Sequence, residues 1–484
     1  MVGAKSRYIA ALASAVVLML TAPTAALALP AKTELSGEER TAGLWYAERM
    51  DFGQIREQGL TGKGVTIAVV DDAINLDAAE LRGADIEVRG QFCENTDTGE
   101  SLPATSNDLE RSHGTSVVAM LVGNGVAADG GPGTLGIVPD AKILFYSADS
   151  KQVNKNGVTV CEAVDPDTGE LQKDFTALPD DPMEAPITDG SAFAASQAVE
   201  DGADIVSISL VASIWQGSTW ALVQAQALRA GVPIVAGTPN PRMGRSVEEA
   251  MPYALNGVVA VGGVDNDGNV IRGQNTYGTD IEDAPGSENL AFAAPGYEIL
   301  APVGNEGWGP SLASGTSLAT PLVAGVIALG IEKYPGTSAF QVLQAMIRTT
   351  GGEGISEPEW NGPTYGYGIV KPVAMLAVDP SQFPDENPLF VTSLTDPRCG
   401  SNASTFDECA WAIMMPHPDE VWPPNAVPGS VDTPSEGTGI NAVLLLAAVI
   451  ILLLLIAAVV TIVIVRSRKR HPNTSEFSAT NERN

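Results

Sequence analysis

The sequence predicts an α/β protein whose doubly wound, mainly parallel sheet carries helices on both faces. Short runs rich in Val and Ile alternate with longer runs of helical apolar spacing along residues 44–378. This alternation is typical of a parallel sheet that is covered on both sides. The 50 glycines and 33 prolines favour a fold with many turns over a helical bundle. An apolar share of 44% with only 18% charged residues excludes wholesale disorder.

The individual elements follow from the same alternation. The apolar runs that are short and rich in Val and Ile are predicted as buried strands, at residues 65–70, 142–146, 205–210, 233–236 and 258–264. The runs with helical spacing are predicted as helices, at residues 113–122, 192–200, 219–230, 317–333 and 338–349. Residues 147–189 break the alternation, since they are polar and contain four prolines. We expect them to form an insertion loop on the surface of a compact domain at residues 44–378.

The charge balance is strongly acidic, with 27 Lys and Arg residues against 58 Asp and Glu residues, a formal net charge of −31. Nucleic-acid binding needs basic patches that neutralise phosphates, so this balance argues against a nucleic-acid partner. No Cys and His cluster has the spacing of a zinc site, so no metal site is expected.

The amino-terminal end predicts a secretory signal peptide at residues 1–28, followed by a short extension at residues 29–43. Lys5 and Arg7 precede an apolar run at residues 8–20, and an A-x-A cleavage site ends at Ala28. An uncleaved anchor is the alternative, but the apolar run is short for a membrane span.

The carboxyl-terminal end predicts a transmembrane helix at residues 440–465. This run of 26 residues has no charge, and as a helix it would be about 39 Å long, enough for a hydrocarbon core of about 30 Å. Arg466 and three further basic residues follow at once, which marks residues 466–484 as a cytoplasmic tail. The compact domain would then lie outside the cytoplasm at a cell membrane. A buried core helix is the alternative for the apolar run.

Residues 379–439 are predicted to form a proline-rich stalk, because ten of the 33 prolines fall between Pro380 and Pro434. Outside the cytoplasm disulfides persist, and four cysteines allow three pairings. Cys399 and Cys409 are close in sequence, and their pairing would leave Cys93 to pair with Cys161. Free buried thiols are the alternative.

Three side chains at predicted strand or helix ends are candidates for nucleophilic catalysis. Of the three histidines, only His113 falls in the compact domain, since His417 is in the predicted stalk and His471 in the tail. A catalytic imidazole needs a carboxylate on one nitrogen and a nucleophile on the other. Asp71 ends a predicted strand, and Ser317 opens a predicted helix after Gly315. Taken singly, each of these residues is more simply explained as a turn residue, a helix cap or another structural residue.

Together, these residues and the segments around them resemble the subtilisin-like serine proteases. The resemblance covers about residues 44–376 and rests on the segments 64–71, 113–115, 136–141 and 315–321. It implies a subtilisin-like fold and Asp71, His113 and Ser317 as the charge-relay residues. It also implies that Asn240, in the aligned segment 231–240, binds the oxyanion, although a turn residue between two prolines is the alternative. By the same resemblance, Ser209, Val211 and Ala212 contact the substrate.

Three departures from the family pattern indicate a selective enzyme. Asp72 and Ala73 stand where the family has a small hydroxyl residue and glycine, and Asp72 adds a negative charge beside Asp71. Pro239 replaces the glycine before the oxyanion asparagine. Val211 and Ala212 replace two glycines that pair with the substrate backbone, so their Cβ atoms should narrow the cleft.

A narrower resemblance, to the mycosins, rests on segments 209–212 and 365–370 and on the order of signal peptide, protease domain, stalk, span and basic tail. Mycosins are membrane-anchored proteases of actinobacterial type VII secretion systems. The expected function is a membrane-anchored, extracytoplasmic serine endopeptidase that cleaves a restricted set of proteins without a cofactor. Its expected partners are protein or peptide substrates, the membrane and secretion components. The alternatives are a protease-shaped structural subunit of a secretion complex and a binding module with a lost active site.

Overall fold

The computed structural model describes residues 34–94, 101–148, 161–168, 189–213, 217–240, 249–270, 289–304, 307–351, 354–396 and 415–422. The predicted signal peptide (1–28), the Cys399–Cys409 loop, the transmembrane segment (440–465) and the cytoplasmic tail (466–484) lie outside these residues. They therefore stay predictions.

Within the described residues, seven strands form one parallel sheet in the order β7-β6-β5-β4-β1-β3-β2. In chain order these strands are β1 (Thr66–Asp71), β2 (Ile86–Gln91), β3 (Lys142–Ser147), β4 (Ile205–Ile208), β5 (Ile234–Gly237), β6 (Val259–Val264) and β7 (Leu290–Pro295). Short antiparallel pairs lie outside the sheet: Cys93–Glu94 with Glu162–Ala163, Asn124–Val126 with Pro132–Leu135, Ala212–Ser213 with Glu249–Met251, and Ile299–Gly304 with Gly307–Ala313.

Helices flank this sheet along the chain. They are α1 (Gly37–Ala42), α2 (Trp45–Arg49), α3 (Phe52–Glu57), α4 (His113–Val122), α5 (Gly190–Glu200), α6 (Gly217–Ala230), α7 (Thr316–Lys333), α8 (Ala339–Ile347), α9 (Pro372–Leu376) and α10 (Pro418–Val421). Single 3₁₀ turns occur at Ala79–Leu81, Leu109–Arg111 and Pro380–Gln382.

Alternation along β1 shows that both faces of the sheet are covered. Ile67 and Val69 belong to the core cluster that includes α4, α7 and α8, whereas Ala68 and Val70 belong to the cluster with α5 and α6. Since side chains of a strand point alternately to opposite faces, the two clusters lie on opposite sides of the sheet. The predicted α/β fold with a mainly parallel sheet and helices on both faces is confirmed.

All five predicted strands lie in this sheet, but β2 and β7 were not predicted. Both are edge strands. β2 is mostly half-exposed and interleaves charged residues with apolar ones, and β7 (LAFAAP) is dominated by alanine. Neither has the Val- and Ile-rich run that identified the central strands.

α7 runs through the core, with every residue from Thr316 to Gly330 buried. Among the described residues it is the helix that is long and apolar enough to cross a membrane, but 78% of its 18 residues are buried inside the protein. Its apolar character is that of a core helix. It therefore does not test the predicted span at residues 440–465.

A disulfide ties the predicted insertion to the domain. Cys93 is joined to Cys161, and the short antiparallel strands Cys93–Glu94 and Glu162–Ala163 pair beside it. A Cβ atom on Gly190 would lie 2.5 Å from the Cys161 sulfur, so only glycine lets α5 begin this close to the bridge.

Parts of the region predicted as a stalk pack into the core of the domain in the described residues 379–396 and 415–421. Leu389, Phe390 and Val391 are buried, and Val421 joins the same core cluster. The predicted domain boundary at 378 therefore lies too early. Prolines do exclude long helices here, but they do not prevent apolar residues between them from packing.

Asn256 holds this carboxyl-terminal segment in place. Its side-chain amide donates to the carbonyls of Val391 (3.0 Å) and Pro416 (3.2 Å), and its Oδ1 accepts from the Val391 N–H (2.7 Å). Its backbone N–H donates to the Met415 carbonyl at 2.8 Å. Since Asn256 is 1% exposed, water cannot replace these bonds.

Replacing Asn256 with alanine should lower the free energy of unfolding by about 2–4 kcal/mol, because buried backbone groups lose their partners. Thermal unfolding of the full-length chain followed by circular dichroism should show a Tm several degrees lower. Asn361→Ala is the control, since Asn361 is exposed and its amide contacts only the Glu359 carbonyl. Equal Tm values for the two variants would contradict this role of Asn256.

Candidate active site

Asp71 and His113 meet at the carboxyl edge of the sheet. Asp71 is the last residue of β1 and is fully buried, and His113 is the first residue of α4. The His113 Nδ1 lies 2.7 Å from the Asp71 Oδ1, which also accepts from the Asp72 N–H at 2.8 Å. The His113 side chain is 39% exposed. The imidazole is thus held on one nitrogen while part of the ring remains open to solvent.

The surroundings of His113 favour its charged form. Partial enclosure lowers the pKa of His113, but the charge of Asp71, the hydrogen bond to Asp71 and the charge of Asp72 together raise that pKa to about 9. The imidazole therefore holds its proton at neutral pH in the absence of bound substrate.

Asp72 contacts the start of the histidine helix. Its two carboxylate oxygens accept from the backbone N–H groups of His113 (3.2 Å), Gly114 (2.8 Å) and Ala73 (2.5 Å). Burial first and the neighbouring Asp71 second raise the pKa of Asp72 to about 6, against the lowering effects of His113 and these N–H groups. The sequence indicated the negative charge of Asp72 but not these contacts.

Ser317 and Asn240 flank the start of α7. Ser317 is the second residue of that helix and is 9% exposed. An ideal Cβ atom on Gly315 would lie 3.0 Å from the Ser317 Oγ and 3.4 Å from the Asn240 Nδ2. The hydroxyl and the amide therefore lie near one point, which a side chain at position 315 would obstruct.

The orientation of Asn240 is fixed by its oxygen. The Asn240 Oδ1 accepts from the Thr316 N–H at 2.9 Å, and the Thr316 hydroxyl donates to the Thr238 carbonyl. The Nδ2 group makes no hydrogen bond to the described residues, which leaves both of its N–H groups available to a ligand. Pro239 does not prevent this arrangement.

Pro321 explains a contact of Ser209 that the sequence did not predict. Proline has no N–H, so the Ser317 carbonyl four residues earlier lacks its usual helical donor. The Ser209 hydroxyl donates to that carbonyl at 2.9 Å. The Ser209 side chain thus supports Ser317, and the Pro321 spacing is the signal that would have predicted an external donor.

The other predicted substrate contacts lie just beyond β4. Val211 and Ala212 are half-buried, and Ala212 pairs with Met251 across the antiparallel ladder of Ala212–Ser213 and Glu249–Met251. One edge of this short strand is therefore already occupied. In the described part of the chain, no group of three or more His, Cys, Asp and Glu side chains is arranged to hold a metal ion.

Comparison with protein families identifies this chain. The model of the subtilase family, peptidase family S8, matches residues 62–368, which include Asp71, His113, Asn240 and Ser317. The chain belongs to the subtilase family. The fold described above is therefore that of a subtilase.

Individual relatives are distant. The subtilase is 26% identical over 327 residues to the minor extracellular protease Epr of Bacillus subtilis (strain 168), covering 68% of this chain and 41% of Epr. It is 26% identical over 370 residues to mycosin-1 of Mycobacterium tuberculosis (strain ATCC 25618 / H37Rv), covering 70% of this chain and 74% of mycosin-1. The crystal structure of fervidolysin from Fervidobacterium pennivorans, a keratinolytic enzyme, matches with 22% identity and a TM-score of 0.48, covering 69% of this chain and 46% of fervidolysin. The subtilase thus spans less than half the length of Epr and fervidolysin.

The contact between Asp71 and His113 should be measurable as a raised pKa of the imidazole. In the native chain, His113 should titrate near 9, and Asp71→Asn should lower its pKa by about one unit or more, because asparagine carries no charge. NMR of the full-length chain labelled with ¹⁵N-histidine reads this directly. His417→Gln and His471→Gln assign the other two signals. A His113 pKa that is the same in the native chain and in Asp71→Asn would contradict the contact between the two side chains.

Proposed function

We propose that this subtilase is a serine endopeptidase with Asp71, His113 and Ser317 as its catalytic residues. The observation that carries the proposal is the 2.7 Å pair of Asp71 and His113 at the sheet edge, together with Ser317 at the start of the buried helix α7. A buried carboxylate on Nδ1 leaves Nε2 of the imidazole to act on a hydroxyl.

In the proposed reaction, the neutral His113 removes the proton of the Ser317 hydroxyl as the oxygen attacks the substrate carbonyl carbon. The C–N bond of the tetrahedral intermediate then breaks, and His113 gives its proton to the leaving amine. Water attacks the resulting acyl-enzyme with His113 again as base, which releases the acid and restores Ser317. No cofactor takes part in these steps.

The negatively charged oxygen of each tetrahedral intermediate needs hydrogen-bond donors to stabilise it. The Asn240 Nδ2 is available, because its Oδ1 is held by Thr316. The backbone N–H of Ser317 lies in the first turn of α7, where N–H groups have no helical partner. We propose that these two groups form the oxyanion hole.

The proposed substrates are a restricted set of extended peptide segments. Val211 and Ala212 carry Cβ atoms next to the site, and Ala212 already pairs with Met251. A substrate backbone approaching this strand would therefore have less space than glycines would give it. Selectivity between proteins would follow from this narrowing rather than from a deep charged pocket.

The proposed location is a cell membrane, with the protease domain outside the cytoplasm and the carboxyl-terminal tail inside. The predicted signal peptide, the uncharged run at 440–465 and the basic residues after it support this topology. The similarity to mycosin-1 over 74% of its length and the sequence resemblance to mycosins support an association with type VII secretion.

A second candidate function is a structural subunit whose catalysis is dispensable. The replacements at Asp72, Pro239, Val211 and Ala212 favour it, because each alters a position close to the reacting groups. Comparing Ser317→Ala with deletion of the whole protease domain in the producing cell distinguishes the two. Secretion that survives the substitution but not the deletion would favour the structural role.

The peptidase proposal is tested with a serine-directed phosphonate applied to the full-length chain. We expect a covalent adduct that mass spectrometry locates on Ser317, because only an activated hydroxyl attacks phosphorus at a useful rate. Ser317→Ala should take up no label. An unlabelled native chain, at pH 7 and at pH 10, would rule out the peptidase and leave a binding module.

Replacing Asn240 with alanine should lower kcat by about 10²–10³ while changing KM little, because the lost donor acts mainly in the transition state. Hydrolysis of a peptide substrate measured at saturating and limiting concentrations separates the two constants. Asn361→Ala is again the control. A change confined to KM would mean that Asn240 contacts the ground-state substrate instead.

A further inference from the structure

We infer that Asp72 is a positioning residue: it fixes the helix start that presents His113, and it adds a second negative charge, besides that of Asp71, to the surroundings of the imidazole. The expected consequence is a peptidase whose general base loses its proton only at a higher pH than it would beside Asp71 alone. This inference rests on the proposed role of His113 as the general base, and it adds a second carboxylate that regulates that base.

The contacts of Asp72 are those of a helix cap supplied from a distant position in the sequence. The N–H groups of His113 and Gly114 open α4 and have no partner inside that helix. Ser112, the local N-cap residue, makes no side-chain cap bond, because its hydroxyl donates to the Leu109 carbonyl. Asp72, more than 40 residues earlier, accepts from both helix N–H groups instead.

The segment around Asp72 cannot readily shift away from the helix. The Ser147 hydroxyl donates to the Asp72 carbonyl, and the Ala148 N–H donates to the Asp71 carbonyl at 2.7 Å. A Cβ atom on Gly114 would lie 2.6 Å from the Ala73 carbonyl oxygen, so the two backbones are in close contact. The distance between the Asp72 charge and the imidazole is therefore fixed by the fold.

The charge of Asp72 favours the protonated imidazole because two carboxylates and a single basic group lie together here. The titratable groups that act on Asp72 are Asp71 from β1 and His113 from α4, and those that act on His113 are Asp71 and Asp72. Two carboxylates thus share one imidazole. Loss of the imidazolium proton leaves two adjacent, largely buried negative charges without a counter-charge, which disfavours the neutral base.

The pKa of His113 sets the fraction of imidazole that is neutral, and so able to act as a base, at pH 7. With a His113 pKa of about 9, about 1% of the imidazole is neutral at pH 7. Asp71 is the larger cause of the raised His113 pKa and Asp72 the smaller one, so removing the Asp72 charge lowers that pKa and raises the neutral fraction.

The test compares Asp72→Asn, Asp72→Ala and Asp77→Asn in the full-length chain. Asparagine removes the charge but keeps one oxygen for the Gly114 N–H, whereas alanine removes both the charge and the cap. Asp77→Asn removes a charge from the same loop, at an exposed position with no ion pair among the described residues. The readouts are the NMR titration of His113, the pH profile of kcat/KM and the Tm.

We expect Asp72→Asn to move the His113 pKa and the acid limb of kcat/KM down together by about one unit, with about tenfold higher kcat/KM at pH 7. Asp72→Ala should give a similar pKa shift together with a Tm several degrees lower than that of Asp72→Asn. Asp77→Asn should change none of the three.

An Asp72→Asn chain whose His113 titrates within about 0.3 of the native pKa would overturn the inference, whatever its activity. So would an acid limb that stays in place while the NMR pKa moves. Because NMR reads the imidazole without catalysis, a shifted pKa in a chain without peptidase activity would reject the proposed function and still support the charge effect of Asp72.

Discussion

The arrangement of this site depends on the hydrogen bond between the Asp71 carboxylate and the His113 imidazole. The carboxylate can be fully buried because β1 ends there, between two parallel neighbours in register with it. The imidazole can reach it because α4 begins at the histidine itself. A shift of β1 by one residue would turn Asp71 to the opposite face of the sheet, toward α5 and α6. The sheet register is therefore what makes the contact between Asp71 and His113 possible.

Ser317, the proposed nucleophile, is positioned by a different constraint, the burial of the first turns of α7. A helix end in the core must find partners for its free backbone groups. Here Asn240 accepts from the Thr316 N–H, and Ser209 donates to the carbonyl that Pro321 leaves unpaired. These contacts satisfy the helix and, at the same time, orient the amide and the serine that the proposed reaction uses. The hydrogen bonds that give the helix end its partners are thus the same ones that orient the two side chains of the proposed reaction.

The sequence predicted central features of the fold better than peripheral ones, for a physical reason. Central strands are buried on both faces and must be apolar throughout, so their runs are visible, whereas the half-exposed edge strand Ile86–Gln91 is not. In the described residues 379–396 and 415–421, the proline content agrees with the short helical elements Pro380–Gln382 and Pro418–Val421. It carried no information about packing, which here depends on the hydrogen bonds between Asn256 and Val391. The candidate site residues came from family motifs. The capping role of Asp72 joins positions 41 and 42 residues apart, and no local pattern encodes such a contact.

Asp72 also shows how a single departure from a family pattern can have two opposing effects. A small hydroxyl at this position could accept one hydrogen bond and would carry no charge, whereas a carboxylate accepts from three N–H groups and adds a negative charge beside a buried acid. Stronger capping favours a rigid helix start, which orients the imidazole well for proton transfer. The same charge favours the imidazolium, which cannot accept that proton. In the proposed enzyme, precise orientation of the imidazole therefore competes with a high fraction of unprotonated imidazole. The fixed contact between Asp72 and α4 favours the orientation at the expense of the unprotonated fraction.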